Sequence, residues 1–108
     1  MRTLKQLVEK EATVWVYLDN KKVGKEFLRQ AEEEGFRCSD GSSLRRMSWF
    51  YVMALHRDMT VCYVSLFNWT FSFAGNVKGT PLRVDYKKYA SGEEDCLCRQ
   101  SHFTRSFV

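Results

Sequence analysis

Residues Thr13-Val14-Trp15-Val16-Tyr17-Leu18 are β-branched, aromatic or aliphatic at every position. In a strand, alternate side chains point to opposite faces, so this segment is apolar on both. Such a strand belongs in the middle of a sheet with cover above and below it.

The flanking segments read as helices. Thr3 and Gln6 have capping-box spacing, and Leu4, Leu7 and Val8 share one helical face, which predicts a short helix over about residues 3–11. Asn20 is placed to cap a second helix, over about 21–34. Its apolar positions Val23, Phe27, Leu28 and Ala31 recur at helical spacing, and Gly35 stands where a helix commonly ends in left-handed backbone. Glu32-Glu33-Glu34 sits at the end of that helix where the dipole disfavours anions, and reads as a solvated face or a contact for a basic partner.

Beyond residue 35 the pattern turns to strands. Phe36 to Cys38 predicts a short strand, and Ser39 to Ser43 a loop. Trp49 to His56 and Thr60 to Leu66 predict a hairpin with Arg57-Asp58-Met59 as its turn. Trp69-Thr70-Phe71-Ser72-Phe73-Ala74 alternates large against small and predicts a half-buried strand. Leu82 to Tyr86 alternates again. Cys96 to Val108 reads either as a last edge strand or as a partly ordered tail over 99–108. The expectation is a single α+β domain over 1–108, mainly an antiparallel sheet of about five strands with one main helix and a short N-terminal helix.

Charge is distributed unevenly. Residues 1–40 hold eight Lys/Arg and eight Asp/Glu, whereas 41–108 hold nine and five, so the net +4 comes from the second part. That part also interleaves cations with rings. Arg45-Arg46 precedes Trp49 and Tyr51, and Lys87-Lys88 lies between Tyr86 and Tyr89. Cations neutralise phosphate or carboxylate, and ring faces offer stacking or contact area. Arg45, Arg46, Trp49, Tyr51, Lys87, Lys88 and Tyr89 are the candidate binding residues, with Tyr89 expected to be exposed.

Catalytic and metal signals are weak. His56-Arg57-Asp58 copies the start of a kinase catalytic loop without the remaining kinase motifs. Cys96-Leu97-Cys98 lacks the spacing of a structural zinc site, and Cys38, Cys62 and His102 are scattered. No metal or cofactor is expected. No signal-peptide pattern opens the chain and no apolar run approaches the length of a membrane helix, so the expectation is a cytoplasmic protein with free thiols and no membrane association.

Val14-Trp15-Val16-Tyr17, the run from Phe27 to Phe36, Asp40-Gly41 and the run from Met53 to Val61 together resemble small uncharacterised proteins of Firmicutes phages and mobile elements, over about residues 13–75. The resemblance implies a genetic context rather than an activity; small phage proteins often act by binding a host factor stoichiometrically, and the expectation is a non-catalytic accessory protein with an anti-defence role. It would bind a host protein as an anti-CRISPR-like inhibitor does, or an anionic nucleotide as a signal sponge does. Two alternatives remain: a direct DNA- or RNA-binding protein, and a small enzyme dependent on cysteine and histidine, for which His56, Cys96 and Cys98 are the candidates. Exposed strand edges leave a homodimer open.

Overall fold

The Thr3 hydroxyl accepts from the Gln6 N–H while the Gln6 side chain accepts from the Thr3 N–H, and this reciprocal cap opens α1, Leu4–Lys10. The computed structural model describes residues 2–74 and 81–100. The expected central strand follows as β1, Thr13–Tyr17. The Asn20 side chain accepts from Val23 N–H to start α2, Lys21–Glu34, which ends at Gly35 with φ near 100°. Then come β2 (Arg37–Cys38), the single 3-10 turn Leu44–Arg46, β3 (Val52–His56), β4 (Thr60–Tyr63), α3 (Leu66–Phe71), β5 (Leu82–Asp85) and α4 (Tyr86–Ala90).

The five strands form one sheet in the order β2-β4-β3-β1-β5. β1 is an interior strand next to the edge strand β5, antiparallel to β3 on one side and parallel to β5 on the other, while β3 is the middle of the five. The α+β class holds, but the sheet is mixed: β2 also runs parallel to β4. The parallel pairs are possible because α2 and α3 lie in the long connections that precede β2 and β5 and carry the chain back.

The two faces of the sheet have different cover. Val14, Val16, Met53, Leu55, Val61 and Val84 meet Leu4, Leu7 and Val8 of α1 and Val23, Phe27 and Ala31 of α2. Tyr17, Val52 and Ala54 on the other face meet Val64 and the fully buried Trp69 of α3.

The segment 69–74 is therefore not a strand. Ser65 caps the helix by accepting from Asn68 N–H. Helical spacing sends Leu66, Trp69 and Phe73 to the sheet and leaves Phe67 and Phe71 about 61% exposed. The alternation of large and small residues matched both periods, and the helical one decides which rings are buried. β3 likewise begins only at Val52, Leu66 is helical rather than part of β4, and Tyr86 opens α4 rather than ending a strand. Residues 96–98 lie along β5 through a single bridge, Val84 to Leu97. Their two flanking hydrogen bonds are Asp85 N–H to Cys96 O and Cys98 N–H to Arg83 O. The rest of the expected tail, 101–108, lies outside the described residues.

α2 carries a glycine in its interior for a packing reason. A Cβ on Gly24 would fall 2.7 Å from the Cβ and 2.9 Å from Cε3 of Trp49. Alanine would gain about 1 kcal/mol of helix propensity. It would lose more, because the Trp49 backbone end cannot swing aside, and such overpacking costs about 1–3 kcal/mol. Gly24→Ala is thus expected to lower the urea midpoint without changing the slope of the transition. A raised midpoint would show that Trp49 is not held against α2.

Candidate functional site

The stretch Ser43–Phe50 runs back along α2. Its start is fixed by Glu32, whose carboxylate accepts from Leu44 N–H and from the Ser43 hydroxyl, both at 2.9 Å. Its far end is fixed by Trp49 against Gly24. Between these two attachments an open groove of about 520 Å³ is left, lined by Lys25, Leu28, Arg29, Glu32, Glu33, Leu44, Arg45 and Met47. Leu28, Leu44 and Met47 give it an apolar floor. Lys25, Arg29 and Arg45 are exposed at its rim, and among the described residues none of the three forms an ion pair.

The Glu32 carboxylate is already engaged within the molecule. The Leu44 N–H, the Ser43 hydroxyl and the Arg37 and Arg45 guanidiniums hold its carboxyl below the usual range, with Arg37 at 3.5 Å. The acidic run at the end of α2 is thereby largely accounted for inside the molecule. Glu34 accepts from Leu4 N–H at 2.9 Å and Lys5 N–H at 3.0 Å, capping α1 from outside. Only Glu33 of the three is exposed.

An aromatic cluster continues from the Trp49 end. Trp49 meets Tyr51 edge to face at 4.8 Å between centroids. Tyr51 meets Phe50 at 6.0 Å, and Phe50 meets Tyr63 at 6.2 Å. Tyr51 and Tyr63 are 38% and 51% exposed. Trp49 is half-buried and committed to α2, so its ring faces are not an open stacking platform.

Of the residues singled out from the sequence, Arg45, Arg46, Trp49 and Tyr51 lie on this one stretch of chain. Lys87 and Lys88 are exposed on α4, which packs on the other flank of α2 through Tyr86, whose ring meets Phe27 and whose hydroxyl donates to Gln30 at 2.6 Å. Tyr89, expected to be exposed, is buried instead. The short helix α4 turns it inward, where its hydroxyl donates to Thr3 O at 2.6 Å and burial pushes its pKa up. Lys25 and Arg29 were missed. Counting charge over residues 1–40 cancelled them against the glutamates, although Lys21, Lys25 and Arg29 repeat at i, i+4, i+8 and so share one helical stripe.

Other candidates separate on inspection. A larger hollow of about 770 Å³ between α1 and the segment 94–97 sets Arg2 and Lys10 against Glu9 and Glu94, and Arg2 already donates to Gly92 O and Glu93 O. Cys96 packs into the core with α1 and α2, while Cys98 packs against the layer that holds Trp69, so the two thiols of the C-x-C pair belong to different packing clusters. Burial and Asp85 push the Cys98 thiol up to about 12. Among the described residues no three His, Cys, Asp or Glu side chains gather as a metal site, and no helix is long and apolar enough to cross a membrane. His56 does meet a cysteine, but it is Cys62 across the hairpin: Nε2 lies 3.2 Å from Sγ.

Comparison of the chain with protein-family models, with curated proteins and with solved structures gives no match.

Glu32 links the groove to pH. Its folded pKa lies below its unfolded value near 4.5, so the stabilisation it gives is present above that value and is lost as pH falls through the folded pKa. Glu32→Gln should therefore flatten the fall in stability below pH about 4.5, read from urea midpoints across an acid series. An unchanged slope would show that Glu32 does not hold the 43–45 turn.

Proposed function

We propose that this chain is a non-catalytic binding protein that takes an acidic segment of a partner protein into the groove between α2 and the Ser43–Phe50 stretch. One observation carries the reading: Lys25, Arg29 and Arg45, none of them in an ion pair among the described residues, outnumber the one exposed carboxylate, Glu33, around a floor of Leu28, Leu44 and Met47. An elongated apolar floor with cations along its rim complements an amphipathic acidic segment, which would bury its apolar side and pair its carboxylates at the edge.

Two features favour a protein over a nucleotide or nucleic acid. The backbone N–H groups that open the 3-10 turn, which could otherwise receive a phosphate, already donate to Glu32 and to the Ser43 hydroxyl. The ring nearest the groove, Trp49, is spent on packing against Gly24 and cannot sandwich a base. Tyr51 and Tyr63 extend the contact area beyond the groove as aromatic anchors do at protein interfaces. In the phage or mobile-element setting that the sequence resemblance implies, the partner is a host protein and the outcome of binding is its inhibition.

The test compares wild type with Lys25→Glu/Arg29→Glu/Arg45→Glu as bait in host extract, with quantitative mass spectrometry of captured proteins and nucleotide analysis of the denatured bait. An acidic protein is expected on the wild type, reduced by about tenfold or more on the variant, since each desolvated charge pair lost is worth on the order of 1 kcal/mol or more. A nucleotide released from the wild type, or oligonucleotide binding that falls steeply with salt, would replace this reading with a nucleotide or nucleic-acid one. Equal capture by both baits would move the binding surface elsewhere.

A further inference from the structure

On the face of the sheet that carries α3, three side chains from adjacent strands form a hydrogen-bonded row. Cross-strand pairing sets Thr13 of β1 opposite His56 of β3, and the hairpin sets Cys62 of β4 opposite Ala54, one step diagonal to His56. The imidazole bridges the row: Nδ1 lies 3.2 Å from Thr13 Oγ1 and Nε2 lies 3.2 Å from Cys62 Sγ. All three residues are partly exposed. A nucleophile touching a base whose far nitrogen is oriented by a third group is the arrangement that general-base activation requires.

We infer that Cys62 is a covalent modification site for small soft electrophiles of the α,β-unsaturated carbonyl class, with His56 as its proton carrier and Thr13 as a positioning residue. The tautomer this chemistry uses carries its proton on Nδ1, so that Cys62 Sγ–H donates to His56 Nε2 and His56 Nδ1–H donates to Thr13 Oγ1. On attack, sulfur bonds to the β-carbon and the thiol proton passes to Nε2. The alkene pair moves onto the carbonyl as an enolate, and the same proton then returns to the α-carbon. The adduct is a thioether containing every atom of both reactants. Conjugate addition is the reaction this row can complete unaided, because it asks for a nucleophile and a proton carrier and has no leaving group to stabilise.

The surroundings decide how the thiol reacts. Burial, and the Asp58 carboxylate in the turn, push the Cys62 thiol up. Asp58 also acts on His56 and is itself held by the Thr60 hydroxyl and N–H. Arg37, opposite Thr60 on β2, turns its guanidinium to Glu32 and to the carbonyl of Phe36. Arg57, next to His56 in sequence, donates instead to Val8 O and Glu9 O of α1, and the raised thiol rests as a thiol and not as a thiolate. Reaction runs through proton transfer from the thiol to the His56 imidazole that touches it, so its rate depends on that contact. The other thiols are internal controls. Cys96 is buried, Cys98 is pushed up by burial, and Cys38, partly exposed, lies 3.7 Å from Ser43 O with no histidine contact among the described residues.

The experiment labels the intact protein with N-ethylmaleimide at neutral pH and measures the rate at each cysteine by peptide mass mapping. Cys62 is expected to react about tenfold or more faster than Cys38. His56→Ala should bring the Cys62 rate down to that of Cys38 or below. Thr13→Val should slow Cys62, and Thr13→Ser, which keeps the hydroxyl, should restore it, a rescue that a merely structural role would not require. A wild-type rate at Cys62 no faster than that at Cys38 overturns the assignment whether or not the His56 variant folds.

Discussion

β1 is covered along most of its length, with Val14, Val16 and Tyr17 buried. Its backbone is paired on both edges, to β3 and to β5, and its side chains meet α1 and α2 on one face and α3 on the other. Every other element is placed by the need to complete that enclosure. A strand buried in this way must have each backbone polar group satisfied by a neighbour, which fixes the register of β3 and β5. Because side chains alternate between faces, the register in turn fixes which residues look toward α2 and which toward α3. Both candidate sites inherit their geometry from it. The groove lies on the α2 flank, and the row Thr13, His56, Cys62 lies on the opposite face.

The second organising interaction is carried by glutamates at the end of α2 where the dipole disfavours them. Glu34 compensates by receiving the first N–H groups of α1, and Glu32 by receiving those of the 43–45 turn. Each carboxylate at the C-terminal end of one helix satisfies the N-terminal end of another element. The groove exists because Glu32 and Trp49 attach the Ser43–Phe50 stretch to α2 at two points and leave the interval between them open.

Much of the fold could be read from the sequence where local chemistry is decisive. The Thr3–Gln6 cap, the Asn20 cap, the Gly35 terminus and the apolar run of β1 each identify one structure with little competition. The segment 69–74 could not be read this way, because Trp69 and Phe73 fall together under a period of 2 and also under a helical i, i+4 pairing. Only the cap at Ser65, four residues earlier, separates the two. Strand direction was also hidden: nothing in Leu82-Arg83-Val84-Asp85 states whether it runs with β1 or against it, since the crossover decides that. For the site, Arg45, Trp49 and Tyr51 stood out as neighbours in sequence. Lys25 and Arg29 come from a distant helix whose total charge concealed a one-sided basic stripe. Tyr89 was misplaced because no helix was expected over 86–90, and only the turn of α4 carries it inward past the two lysines. The contact of His56 with Cys62 was implicit in the hairpin, since a turn at 57–59 sets these two positions on one face.

The binding reading is most directly tested by photo-cross-linking from within the groove. A benzoylphenylalanine at position 47, on the floor, is compared with the same probe at position 87 on the opposite flank of α2, in cells that make the protein. The account predicts one dominant acidic protein cross-linked from position 47 and absent from position 87. Cross-links from position 87 alone, or the same products from both positions, would contradict it.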